Sequence, residues 1–285
     1  MKKISYSQYS MWAQCPHKWK TAYIDGRREY TDSIHTMFGT SMHEVIQTFL
    51  TVMYNDTAKL AEQLPLEDML LTRMKRNFEE IVKANGGEMF CSEKDMVEFY
   101  GHGVEILNFL RKKRAQYFSK KGYELVGIEV PLNYDLPNNV KFVGYIDIVI
   151  RDTVRDVIKI YDIKTSTMGW NKYMKADKLK SDQLLLYKQF YAKQFNHPID
   201  KIEVEFFIVK RKLYENVDFP QKRVQKFVPA SGKVSMNKVG RRLGKFIDEA
   251  FDVNGKHKND MVATPSKKAC RFCEFRKTEY CDKGI

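Results

Sequence analysis

The chain has 285 residues, 43% of them hydrophobic and 30% charged, and carries a net charge of +13. That length suits one large domain or two small ones, and the composition excludes a disordered or fibrous chain. No apolar run approaches the ~18 residues that a bilayer span needs, and the opening MKKISYSQYSMWAQCPHKW lacks the apolar core of a secretory signal, so a membrane-spanning or exported protein is not expected.

The basic excess favours an acidic polymer as partner, most often nucleic acid. Clusters of positive charge occur at 111–114 (RKKR), 210–212 (KRK), 240–245 (GRRLGK) and 256–258 (KHK). Each also reads as an ordinary solvated face.

The N-terminal half reads as helical. A first helix is expected over 5–24, with Met11, Trp12, Trp19 and Tyr23 recurring at helical spacing and Ser5 or Ser7 as cap. A second is expected over 38–54, where Met42, Val45, Ile46, Phe49, Leu50 and Met53 form an apolar stripe. Residues 60–120 continue in helical pattern, most clearly at 97–118.

The period then changes. Strands are expected over 123–136, 140–152 and 157–165, joined by the turns PNN and TVRD, which makes an antiparallel meander. A helix over 177–195, a fourth strand over 199–211 and an amphipathic helix over 235–251 follow. The fold class expected is α/β, a central mixed sheet flanked by helices. Three parts are delimited: an N-terminal helical region (1–120), a core (121–215) and a C-terminal helix with a cysteine-rich tail (216–285), together one compact domain.

Within the third strand, IYDIKTS places Asp162 and Lys164 two residues apart, hence on one face. The preceding strand sets Asp147 among Val143, Ile146, Ile148 and Val149. A buried carboxylate is costly unless paired or metal-bound. Two of them on neighbouring strands, with a lysine beside them, suggest a divalent-cation site, and hard oxygen donors favour Mg²⁺ or Mn²⁺. A plain Asp–Lys ion pair, or two solvated charges at a strand end, would use the same residues.

Asp147 followed by Asp162-Ile163-Lys164 resembles the PD-(D/E)XK nuclease core. With the GxxxH segment Gly39–His43 upstream and the QxxxY segment Gln183–Tyr187 downstream, the chain is similar to the RecB-like branch of that superfamily. The resemblance implies that Asp147, Asp162, the backbone carbonyl of Ile163 and His43 hold the metal. It implies that Lys164 orients the attacking water and stabilises charge on phosphate. Glu129 on the preceding strand would bind metal directly or through water, unless it is an exposed strand residue. Gln183 and Tyr187, one helical turn apart, would contact DNA near the scissile phosphate, unless they belong to a half-buried core helix.

Five cysteines are present. The tail CRFCEFRKTEYC gives C-x2-C-x7-C through Cys270, Cys273 and Cys281, a spacing suited to a metal or cluster, with Cys15 as candidate fourth ligand. This arrangement resembles the iron–sulfur members of the RecB-like nucleases, among them CRISPR-associated adaptation nucleases and helicase-linked nuclease subunits. A 4Fe–4S cluster is what the resemblance implies, with a largely structural role. The final spacing is longer than the usual pattern, and a four-cysteine zinc site or unbound thiols are the alternatives. Cys91 lies outside the pattern.

The function these readings imply is metal-dependent DNA exonuclease action on single strands or duplex ends, in recombination, repair or phage DNA metabolism. The aromatic content of 13%, with tyrosines near basic clusters, suits single-stranded DNA. Alternatives are a DNA-trimming nuclease working with integrase partners in CRISPR adaptation, a catalytically inactive DNA-binding protein of the same fold, or a small redox protein. No GxxxxGK[ST] motif occurs, so any unwinding needs a helicase partner. The expected location is the cytoplasm of a bacterial or phage-infected cell.

Overall fold

The computed structural model describes residues 1–28 and 32–285. The chain opens with a short strand, β1 (Lys2–Ile4), and then helix α1 (Tyr6–Gln14), capped by Ser5, whose hydroxyl accepts from Gln8 N–H. The single helix expected over 5–24 is interrupted. Pro16 disfavours the helical conformation of the residue before it, and Cys15 is extended at φ −160° and ψ 112°. A short α2 (Pro16–Trp19) and a π-helical turn at Lys20–Ile24 follow.

Helix α3 (Ile34–Asn55) starts four residues earlier than its apolar stripe suggested. Ser33 and Thr36 form a reciprocal capping box that fixes the true start. Then come α4 (Ala58–Glu62), α5 (Leu66–Ala84) and α6 (Glu93–Tyr117), the last again opened by a capping box, Ser92 with Asp95. Strands β2 (Tyr123–Leu136), β3 (Val140–Asp152) and β4 (Val157–Ser166) form the expected antiparallel meander. Helices α7 (Lys172–Ala176) and α8 (Lys178–Gln194) lead to β5 (Ile202–Lys210), which pairs parallel to β4. The chain ends through β6 (Val224–Phe227), α9 (Lys233–Ala250) and α10 (Lys267–Cys270).

The sheet runs β1-β3-β4-β5-β6, with β2 also on β3. It is mixed, as expected: β1 runs parallel to β3 and β5 parallel to β4, and the other pairings are antiparallel. The two short strands β1 and β6 were not foreseen, because three or four residues carry no readable period.

Each sheet face buries its own apolar layer. On one side Ile146, Ile160, Phe206 and Ile208 pack with side chains of α1, α8 and α9. On the other, Ile148, Tyr161, Ile163 and Phe207 pack with α3, α5 and α6. One polar knot fastens the first layer. The fully buried carboxylate of Asp182 on α8 accepts from the Tyr9 hydroxyl on α1 at 2.6 Å and from Arg242 Nε on α9 at 2.9 Å. Among the described residues, no helix is long and apolar enough to cross a membrane.

Candidate active site

The site begins at a fork in the sheet. One edge of β3 is paired along its length by β2. The other is paired by β1 at Val140–Phe142 and by β4 at Ile148–Asp152, so the intervening residues face no strand among the described residues. Backbone groups beside such a gap must find other partners. Asp147 stands at the fork, and its Oδ2 accepts the N–H of Ile163 at 2.6 Å, so a side chain takes the place of a ladder bond.

Asp162 and Lys164 do share a face, the one turned toward α8. Asp162 is 1% exposed, and its Oδ2 lies 2.6 Å from Lys164 Nζ with no hydrogen-bond partner beyond that ion-pair contact among the described residues. Burial raises the Asp147 carboxyl well above the usual carboxylate range, and repulsion from Asp162 adds to it. Burial pulls the Lys164 ammonium down, but Asp162 and Asp147 outweigh it and hold the amine above its ordinary value. The cluster thus holds two acids in one desolvated place with the Lys164 ammonium facing both.

Helix α3 brings His43 to the fork, with Nδ1 3.7 Å from Asp147 Oδ2. Gly39, one turn earlier, allows this approach, since a Cβ there would already stand 3.2 Å from Thr165 Oγ1. Burial lowers the His43 pKa to about 4, so the imidazole is neutral at neutral pH and has a lone pair to give.

Glu129 lies across from Asp147, between the pairs Ile128–Ile148 and Val130–Ile146. Its backbone is left-handed at φ +48°, close to a register shift at Leu125–Gly127, an irregularity that re-aims its side chain. Glu129 Oε1 accepts from Gln47 Nε2 at 2.5 Å, and the same amide nitrogen reaches the Asp147 carbonyl at 3.3 Å. Gln47 was not anticipated. It sits one turn after His43, inside an apolar stripe where a glutamine gives no sequence signal.

From the opposite layer α8 supplies Gln183 and Tyr187. Their side chains touch, Gln183 Nε2 donating to the Tyr187 hydroxyl at 3.3 Å. They differ in exposure: Gln183 is half-buried, while Tyr187 is 6% exposed and packs on Gly144, where a Cβ would stand 3.3 Å from its ring. Burial holds the Tyr187 hydroxyl above its ordinary pKa, with a further push from Asp162 and Asp147.

The cysteines form a second assembly. Cys15 at the corner between α1 and α2, and Cys270, Cys273 and Cys281 from the tail, line one pocket. The tail is fastened there by His17 to the Tyr280 carbonyl at 2.8 Å and by the Thr264 hydroxyl to the Gln14 carbonyl at 3.3 Å. Cys91, just before α6, is not among the residues lining that pocket. All five are free thiols. Among the described residues, no three His, Cys, Asp or Glu side chains close on a common point tightly enough to hold a metal ion, here or at the fork. The donor chemistry suits metals in both places: carboxylate oxygens, one of them met only by the Lys164 ammonium among the described residues, with a neutral imidazole at the fork, and four thiols at the tail.

The sequence profile of the PD-(D/E)XK nuclease superfamily matches residues 3–281. Among solved structures, a candidate exonuclease from Eubacterium rectale is similar, with 14% identity over 86% of this chain and 79% of that one and a TM-score of 0.48. The structure of SSO0001 aligns over 91% of both chains at 10% identity and a TM-score of 0.30. No curated protein matches.

Proposed function

The chain belongs to the PD-(D/E)XK nuclease superfamily, and on that premise we propose that it is a Mg²⁺- or Mn²⁺-dependent DNA exonuclease of the RecB-like branch, hydrolysing single strands or duplex ends. The observation that carries this reading is the fork. Asp147, Asp162, Lys164 and His43 meet where β3 passes from β1 to β4, and Asp162 Oδ2 is buried there with no partner but the Lys164 ammonium among the described residues.

In this reading Asp147, Asp162, the Ile163 carbonyl and neutral His43 hold the metal, with Glu129 beside them. The metal lowers the pKa of water and neutralises phosphate charge. Lys164, held protonated by the two aspartates, orients the attacking water and faces the charge that builds on phosphate. Gln47 fixes Glu129 and the β3 backbone. Gln183 reaches the strand near the scissile phosphate, and Tyr187 supports it from below. Cys15, Cys270, Cys273 and Cys281 hold a 4Fe–4S cluster, with zinc as alternative, and so tie the corner of α1 to the tail. The division at residues 120 and 215 belongs to the same reading, as do roles in repair, recombination or phage DNA metabolism.

The test is cleavage of end-labelled single-stranded and duplex DNA with Mg²⁺ or Mn²⁺, using protein purified without oxygen and the variant Asp162→Ala. Metal-dependent cleavage is expected from the wild type, and a loss of at least about a thousandfold from the variant. The position of the lost label gives polarity. No cleavage by a wild type that carries its cluster and binds DNA would turn the reading to a DNA-binding protein of the same fold.

A further inference from the structure

Past Lys164 the chain runs through Thr165, Ser166 and Thr167, and these residues border a second pocket that the catalytic reading does not use. It has a volume of about 140 Å³ and lies between the end of β4, the start of α3 and the side of α6, lined among others by His35, Phe99, Thr165, Thr167 and Arg211. An engineered apolar cavity of about 150 Å³ takes up benzene, so one phosphate group or one small ring fits the space.

The lining is not apolar. Arg211, the residue after β5, is 7% exposed, and a guanidinium stays charged even when buried. It donates to Glu98 Oε1 at 3.0 Å, meets His102 Nδ1 at 3.1 Å and lies 3.9 Å over the Phe99 ring, yet its Nε has no partner among the described residues. The Thr165 and Thr167 hydroxyls make no hydrogen bond among the described residues, whereas the Ser166 hydroxyl is taken up by Gly169. Glu98, the carboxylate at the rim, already receives both Arg211 and Lys212. The balance around the pocket is therefore cationic, with free hydroxyl donors.

Its position matters as much as its chemistry. His35 precedes His43 on α3 by eight residues, a rise of about 12 Å. Gly39, halfway between, packs close to Thr165, whose Oγ1 would stand 3.2 Å from a Cβ there. The pocket and the fork are thus two stations along one helix, on one side of the β4 end.

We propose that this pocket is a second phosphate site. It holds a phosphate of the strand being cut, near the scissile one but distinct from it, with the Arg211 guanidinium and the hydroxyls of Thr165 and Thr167 facing it and His35 at the mouth. The inference rests on the nuclease reading for what the strand is doing there. The phosphate is either an internal diester or the terminal monoester of the strand end, and the same donors serve both.

The test separates these cases. Short labelled single strands are titrated in the presence of EDTA against wild type, Thr165→Val/Thr167→Val and Arg211→Lys. The oligomers carry one neutral methylphosphonate at each position in turn, with or without a terminal phosphate. The double variant is expected to bind about tenfold more weakly. A neutral linkage at one position should cost the wild type about tenfold and the double variant almost nothing, while neutral linkages elsewhere cost both alike. Arg211→Lys should show a partial form of the same position-specific loss. If the sensitive position is the end phosphate, the pocket recognises ends; if internal, it tracks the strand. Unchanged affinity in the double variant, equal penalties in all three proteins, or no DNA binding by the wild type overturns the proposal. A wild type that binds with this pattern but cuts with no metal overturns the nuclease reading and leaves the phosphate site standing.

Discussion

Two buried aspartates lie on the same side of the sheet, and they are solved in opposite ways. Asp182 is fully buried and fully employed: Tyr9 and Arg242 bond its oxygens, and the knot joins α1, α8 and α9. Asp162 is as deeply buried, yet among the described residues Oδ2 has only the ammonium of Lys164 as partner, and another acid, Asp147, repels it. A carboxylate whose partners are complete is a fastener. One whose partners are incomplete, in a group of like charges, is held for something that arrives later.

That contrast breaks or holds on two variants. Asp162→Asn removes one of two repelling charges and leaves Lys164 with Asp147. Cleavage should fall by at least about a thousandfold while unfolding free energy stays within about 1 kcal/mol of wild type. Asp182→Asn leaves Arg242 and Tyr9 without their anion. It should lose about 2–4 kcal/mol in urea unfolding, less than a fully buried pair because the Arg242 side chain is 34% exposed, while the folded fraction keeps most of its activity. Equal stability losses in the two variants would show that Asp162 is a fastener as well.

A smaller effect sharpens the same comparison. Gln47 spends its amide on Glu129 and on the Asp147 carbonyl, both at the fork. Gln47→Ala should raise the Mg²⁺ concentration needed for half-maximal cleavage by roughly 10- to 100-fold, the usual cost of removing an outer-shell partner of a ligand. Loss of maximal rate at saturating Mg²⁺, with unchanged metal dependence, would mean that Gln47 acts on the chemical step and not on holding Glu129.

Much of this was legible because period and spacing are local. The i, i+2 relation of Asp162 and Lys164, the change from helical to strand period near residue 120, and the C-x2-C pair all lie within a few residues of chain. What escaped depends on distant segments. The fork exists because three residues at the very start, Lys2–Ile4, pair with Val140–Phe142, and no period announces so short a strand. The bond from Ile163 N–H to Asp147 follows from that fork. The break at Cys15 was written in Pro16, but the aromatic spacing of 5–24 hid it. Asp182 carried no signal in the sequence, because its partners lie 173 and 60 residues away.

The smallest effect concerns Tyr187, for which the sequence left two readings open. The resemblance implied that both side chains contact DNA, with a half-buried core helix as the alternative. In the fold Tyr187 is packed on Gly144, and its hydroxyl serves as acceptor for Gln183. If support is its whole task, Tyr187→Phe keeps the ring in place and removes one neutral hydrogen bond, worth about 0.5–1.5 kcal/mol. Cleavage should then fall only about two- to tenfold. The loss should also vanish in a Gln183→Ala background, because nothing remains to be held. If Tyr187 instead meets phosphate directly, the two substitutions would multiply, and each would weaken DNA binding alone. The double-mutant cycle therefore separates a residue that touches the strand from one that holds its neighbour still, a distinction that spacing alone does not make.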